Sequence, residues 1–461
     1  MQGLTEALRQ KCRRNDVRYM EIRVEERQST AISFRGPKLE RLTAGKSAGG
    51  NVRVLVGDGW GFVSFYDLEE LDAAIASAVE QANLANRYAT EQVTLAEVAP
   101  VVEQVPLLLT GEDPRSVSVQ EKKELLAAYN ERILSTVGVT SSQVHYTDAW
   151  VRVTFVNSEG TAIEQEKVDL GGNLGAIATR DGDTQQDFVS FGSTGSFDVL
   201  RGLEAQVEDA AQRAVTLLDA QEVQGRPYTV ILDPVLAGVF VHEAFGHLSE
   251  GDNVAGDANL LETMQLGKRF GRPILNIYDS GLDVGSRAYL KYDDEGVPTQ
   301  KTYLLREGVL VGRLHSRETA GKLGERPTGN ARAINWRYPP IVRMRNTCIE
   351  AGTTPPADLF ADVQDGIYAK GAYGGETTHG NFTFRATSAY RIKNGKLAEP
   401  LKNATLSGNL FETLQNIDAI GSDQTQCESG GGCGKGGQVP LPVAQGAPHI
   451  RIQNLLVGGA Q

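Results

Sequence analysis

Two periods of apolar and polar residues alternate along the first 220 positions. Residues 4–14 (LTEALRQKCRR) have helical spacing, whereas 17–27 (VRYMEIRVEER) and 29–36 (STAISFRG) alternate as half-buried strands do. Residues 49–65 predict a hairpin turning at Gly57-Asp58-Gly59. The strongest helical pattern covers 67–86. Asp67 is placed to cap it, and Leu71, Ile75, Ala78 and Val79 form one apolar stripe. A similar order then returns: a helix at 118–135, alternating runs at 150–156 and 162–168 with further strands to about 190, and a helix over 199–220. Helix, meander, helix thus occurs twice. It reads either as a duplicated α+β unit or as one large sheet with helices on one face.

Residues 221–230 read as a linker, which divides the chain into 1–222 and 223–461. One short strand (228–233) precedes the segment PVLAGVFVHEAFGHLSEG (234–251), apolar up to its first histidine. From about 270 onward, short alternating runs such as 272–279, 304–315, 382–397 and 450–459 are separated by Gly, Pro and Asn. The expected fold class is α+β. An N-terminal α+β domain of helices with an antiparallel sheet precedes a β-rich C-terminal domain, sandwich or barrel-like, which carries the histidine helix.

Composition narrows the function classes. A chain of 461 residues with 40% hydrophobic and 23% charged positions reads as a soluble globular protein of two or three domains. Its net charge of -12 argues against nucleic acid as a partner, since such binders present a basic face. The first residues, MQGLTEALRQKCRRND, lack the apolar core of a secretory signal, and no stretch approaches the roughly 18 apolar residues of a membrane span. The expectation is a cytoplasmic protein with no membrane partner. Four cysteines, at 12, 348, 427 and 433, are too few for a disulfide framework, which leaves thiols free for a metal.

The candidate chemistry begins at His242-Glu243. Zinc peptidases commonly carry H-E-x-x-H, with both imidazoles on one helix face. Here His242 and His247 are five apart. On an ideal helix, a spacing of four turns side chains by about 40° and a spacing of five by about 140°. Both imidazoles reach one metal only if the helix opens into a single wide turn, and Gly246 is the natural place for it. The third-ligand candidates are Glu250, Asp252, His315, His379, Cys427 and Cys433. Residues 427–438 (CESGGGCGKGGQ) are not a phosphate loop. Ser429 stands where G-x-x-x-x-G-K-[ST] needs its first glycine, and Gly436 follows Lys435. Glycines let the backbone aim the Cys433 sulfur, and a nearby lysine favours the thiolate. Two imidazoles and a thiolate suit zinc and leave a fourth position open, as in catalytic sites. The plain alternatives are a hydrogen-bonded histidine pair in the core and an idle loop thiol.

With these residues, several separated stretches resemble the TldD/PmbA family of zinc metallopeptidases, in its metal-bearing TldD branch. HEAFGHLSEGD (242–252) is similar to the family's H-E-x-x-x-H helix. Residues 292–320 and 327–333 are similar to its central segment, and 380–397, 403–423 and 431–443 to its later ones. Together with the N-terminal order of elements, the resemblance covers nearly the whole chain. It implies that His242, His247 and Cys433 bind one zinc ion per chain and that Glu243 is the catalytic carboxylate. It gives Cys427 no ligand role, and His379 receives none. It also implies a dimer, either of this chain alone or with a metal-lacking family paralogue, and an enclosed cavity that admits short or unfolded peptides.

In the mechanism expected from this, Glu243 takes a proton from the attacking water, and substrate adds to a sheet edge as an extended strand. Lys435 either stabilises an oxyanion or holds a turn. Two rival readings are a metal-stabilised peptide-binding module without turnover and a zinc hydrolase of a non-peptide amide. Glu243 speaks against the first, because a structural site needs no carboxylate beside its ligand.

Overall fold

The computed structural model describes residues 2–458 apart from 379 and 429. Helix α1 (Gln2–Cys12) leads into β1 (Tyr19–Arg35), β2 (Lys38–Val56), β3 (Gly59–Phe65) and α2 (Leu71–Arg87). After β4 (Val102–Val105), a second series follows: α3 (Val119–Ser135), β5 (Val139–Asn157), β6 (Ala162–Arg180), β7 (Asp183–Thr194) and α4 (Glu204–Leu217). These strands form one sheet in the order β3-β2-β1-β5-β6, with β4 and β7 both on the far side of β6. The two meanders meet at an antiparallel β1–β5 pair and make one continuous surface. The runs 17–27 and 29–36 belong to the single strand β1, which β2 and β5 hold from both sides across Arg27-Gln28. The polar stretch Glu25-Glu26-Arg27-Gln28 interrupts the apolar alternation without interrupting the ladder.

Alternation along these strands sorts the two faces. Even-numbered residues such as Ile22, Ile32, Tyr146, Leu170 and Leu174 are buried in two apolar clusters with the helices. Odd-numbered residues such as His145, Lys167 and Asn173 line cavities on the opposite face. Helix starts follow local capping chemistry. The Asp67 carboxylate accepts the Glu69 amide at 3.0 Å as part of a capping box, one turn before α2, and the Ser118 hydroxyl accepts the Glu121 amide at 3.1 Å.

The C-terminal half is β-rich and contains a closed five-stranded barrel. Strand Arg226–Leu232 pairs with Ile450–Gly458, which pairs with Thr405–Asn409, then Asn381–Lys393, then Asp365–Thr378, which returns to Arg226–Leu232. Helix α5 (Pro234–Val241) lies between the barrel and a second sheet that includes Asn346–Ile349 and Ala444–Ala447. Burial on several sides explains why α5 is apolar almost all round. Phe240 meets Phe382 and Phe384 edge-on, with ring centroids 5.4 and 5.9 Å away. Pro234 sits in the first turn, and the Asp233 carboxylate accepts both the Leu236 amide (2.9 Å) and the Gly371 amide (3.0 Å). The cap thereby ties α5 to barrel strand Asp365–Thr378. Among the described residues, no helix is long and apolar enough to cross a membrane.

Candidate metal centre

Helix α5 gives way at His242 to a π-turn spanning His242–Gly246, followed by a short 3-10 turn at His247–Ser249. The His247 amide donates to the His242 carbonyl, five residues back. This is the wide turn that the five-residue spacing requires. It brings the two imidazoles to a centroid separation of 5.3 Å, nearly perpendicular at 82°. Gly246 has ordinary right-handed φ of -58°, so its lack of a side chain serves close packing. A Cβ there would lie 2.0 Å from the Met344 sulfur.

Cys433 reaches this turn from far along the chain. It opens the strand Cys433–Lys435, and its carbonyl accepts a 2.7 Å hydrogen bond from the buried Arg343 guanidinium. One donor atom each from His242, His247 and Cys433 lie within 4.8 Å of one another. Cys433 Sγ is 3.3 Å from His247 Nε2. On the other side of that ring, His247 Nδ1 lies 3.0 Å from the Glu250 carboxylate. Glu250 is fully buried and also receives Lys435 Nζ at 3.0 Å. Burial raises the Cys433 thiol, but hydrogen bonds from His242 and His247 overcome it and bring the thiol down to about 5. His247 is driven the other way, to about 10, where Cys433 and Glu250 outweigh its burial. Burial also favours a protonated Glu250, yet His247 and Lys435 hold it below the usual carboxylate range.

This donor set fits a metal. The sulfur is poised as thiolate, the second imidazole is oriented by a carboxylate on its far nitrogen, and His242 keeps Nδ1 buried with no hydrogen-bond partner among the described residues. Glu243 follows His242 without joining the cluster. Its carboxylate comes no nearer to His247 Nε2 than 3.7 Å and lines the adjoining cavity. Burial lifts it above the ordinary carboxylate range, against the pull of both histidines.

The other sequence candidates have different surroundings. Glu250 supports His247. Asp252 takes Lys435 Nζ at 2.5 Å and the Val342 amide at 3.3 Å. His315 is buried, with its ring nitrogens on Thr319 and Glu325. The Cys427 thiol is raised to about 12 by burial and lies outside the metal cluster. His379 falls outside the described residues. Lys435 also donates to the Val342 carbonyl at 3.0 Å, so its three donors hold the loop in place. Sequence reasoning missed Arg343 and Met344, which brace the sulfur and the wide turn. The alternation of Arg343, Met344 and Arg345 is their only local trace.

His242, Cys433 and Glu243 line a cavity of about 460 Å³. One wall comes from β5, β6 and β7, through His145, Asn173 and Ser190, and another from Tyr373 and Gly374 of the barrel. Strand Asp365–Thr378 pairs with Asn381–Lys393 along its length, but with Arg226–Leu232 only from Gly366 to Ala369. Its other edge therefore continues without a strand partner among the described residues, beside the metal cluster.

Comparison with known proteins places the chain in a family. Three family models match the chain: the PmbA/TldA metallopeptidase domain 1 (residues 20–82), central domain (112–218) and C-terminal domain (224–459). A metalloprotease of Synechocystis is 46% identical over 96% of this chain and 95% of its own. A zinc metalloprotease TldD homolog of Saccharolobus solfataricus is 29% identical over 91% of each. The crystal structure of TldE from Thermococcus kodakarensis shares the fold, with a TM-score of 0.75 over 98% of this chain and 99% of that one, at 19% identity. Matched by its models from residue 20 to residue 459, the chain belongs to the TldD/PmbA family of metallopeptidases.

Proposed function

We propose that the protein is a zinc-dependent peptidase in which His242, His247 and Cys433 hold one zinc ion per chain and Glu243 is the general base. Convergence of these three donors within 4.8 Å, with Glu243 beside them facing a cavity, carries the reading. Bound there, zinc would polarise the scissile carbonyl and lower the pKa of its water to about 7. Glu243 takes the proton from the attacking water and delivers it to the leaving amine. Its raised pKa suits both acts, since a base that must later act as an acid works best near neutrality. The Glu250–His247 contact fixes the ring so that Nε2 faces the sulfur.

Substrate lies along the open edge near Tyr373 and Gly374 as an added strand. Such pairing reads backbone more than side chains, and it selects short or unfolded peptides. In this arrangement residues 223–461 carry the chemistry and residues 1–222 form the facing wall of the cavity. The protein works in the cytoplasm as a dimer, with itself or with a metal-lacking paralogue. A peptide-library digest with zinc-loaded protein and its Glu243→Gln variant tests the proposal. Cleavage by the wild type alone supports it. Binding without cleavage would favour a capture module, and hydrolysis confined to non-peptide amides would favour the other rival.

A further inference from the structure

A second cavity, of about 450 Å³, opens on the same sheet face as the metal centre but farther along β5 and β6. Lys167 in its wall and Asn173 in the first cavity are both on β6, about 20 Å apart along the strand. Arg287 and Asp169 stand between the two spaces. The Arg287 guanidinium donates to Asp169 at 2.9 and 2.8 Å and to the Gly431 carbonyl at 2.7 Å.

Six cationic side chains and three carboxylates line this second cavity, in a chain whose overall charge is negative. The carboxylates are already matched. Glu25 and Asp294 each lie 3.0 Å from Arg23, and Asp169 is held by Arg287. Among the described residues, the remaining cations have no carboxylate of their own, and Arg27 meets only Glu25, which Arg23 already engages. Lys167 Nζ makes no hydrogen bond and no ion pair among the described residues. Among the described residues, Arg332 donates only to the Met344 and Pro442 carbonyls, at 2.6 and 2.7 Å. Arg27 comes no closer than 4.0 Å to Glu25, and Arg337 stacks over Trp336 without a carboxylate.

The surplus falls into two groups. Lys167 and Arg332 form the inner one, with Arg332 buried, while Arg27 and Arg337 stand at the solvent side. Trp336 and Leu441 give the cavity apolar wall. Uncompensated cations in an enclosed space are unfavourable until an anion joins them. We propose that this cavity binds a small ligand with two oxyanion groups, carboxylate or phosphoryl, one held by Lys167 and Arg332 and the other by Arg27 and Arg337. Burial, reinforced by Arg332 and Arg27 against the pull of Asp169 and Asp294, also brings the Lys167 ammonium down to about 8. An anion seated beside it would reverse that shift.

The test uses the full-length, metal-loaded protein and two probes, glutarate and inorganic phosphate, titrated calorimetrically at physiological salt. Saturable binding of either probe should weaken about tenfold or more in Lys167→Met. Tighter glutarate would mark a carboxylate ligand, and tighter phosphate a phosphoryl one. The bound probe should also slow acetylation of Lys167 by acetic anhydride, read by mass spectrometry. Lys167→Met removes a side chain with no polar partner, so it should fold and, without ligand, melt no lower than the wild type. Because the folded-state pKa lies below that of an unfolded lysine, any gain in stability is fullest below pH 8 and fades as pH rises toward the ordinary lysine range. Failure of both probes to bind the wild type saturably, or equal binding by wild type and Lys167→Met, would overturn the proposal.

Discussion

At the residue scale, the proposed ligand and base roles should separate in mutants. His242→Ala, His247→Ala or Cys433→Ala should each abolish zinc retention and peptidase activity, measured by metal analysis and peptide turnover. Glu243→Gln should keep its zinc and lose activity by about 10²–10⁴-fold, the usual worth of a positioned base. Normal turnover in that variant would refute the mechanism. Cys427→Ser should be nearly silent, since Cys427 lies outside the cluster. Glu250 acts through His247, so Glu250→Gln should weaken zinc binding roughly 10–100-fold while leaving the three donors in place. A competition titration against a chelator would read it, and unchanged affinity would show that the contact does not tune the ring. The two histidines and Glu243 stand out in the sequence by their motif spacing, whereas Cys433 is one of six third-ligand candidates there and only the family resemblance singles it out. The bonds of Arg343 to Cys433 and of Glu250 to Lys435 join residues 90 and 185 positions apart, which no local pattern encodes.

At the element scale, the decisive feature is the π-turn at His242–Gly246. It follows from spacing alone that a regular helix could not bring both imidazoles to one metal. Why the turn persists is a packing matter, since the Met344 sulfur occupies the space a Gly246 side chain would need. Gly246→Ala should therefore destabilise the protein by about 1–3 kcal/mol in denaturant unfolding, as overpacked cores do. Recovery on adding Met344→Ala would identify the contact as the cause, and an unaffected single variant would remove Met344 from the argument. The open edge beyond Ala369 makes a separate claim about substrate. A peptide N-methylated on its backbone near the scissile bond should be cut about tenfold more slowly, because it loses strand hydrogen bonds. Equal cleavage of both peptides would rule out strand addition. Elements long enough to show their period, such as α2 and α3, were read with near-correct limits. The polar centre of β1 divides its pattern, and β5 and β6 extend past the runs at 150–156 and 162–168 because polar Ser142 and Asp148 fill buried positions of β5 and Gly171, Gly172 and Gly175 interrupt the apolar pattern of β6.

At the scale of the whole molecule, the cavity beside the metal cluster is walled by the N-terminal sheet and by the barrel, so both halves of the chain shape what enters. A broad-specificity peptidase is safe among folded proteins if only an extended chain can reach its centre. Two chains facing each other would enclose more than one alone, and an obligate interface should bury more than roughly 2,000 Å² in total. The purified protein should run as a dimer, or form one on adding a metal-lacking paralogue, and it should cut denatured proteins while sparing the same proteins folded. Size-exclusion mass and a paired digest would check this. A stable monomer that degrades a folded protein as fast as its denatured form would defeat enclosure and leave the metal site untouched.

The α+β class, the β-rich second half and the wide turn all follow from local pattern. Strand alternation, the helical stripe and the five-residue spacing of His242 and His247 each depend on neighbours in the chain. Tertiary structure decided what depends on residues far apart. It closed five strands from 226–232 and 365–458 into a barrel, set Cys433 within 3.3 Å of His247, and placed Lys167 among cations from β1 and the 332–337 segment. Side-chain periodicity records which face of an element is buried, but not which distant element buries it. Distant partners also set the chemistry: hydrogen bonds from His242 and His247 make the Cys433 thiolate against its burial, and burial disfavours the charge on Lys167.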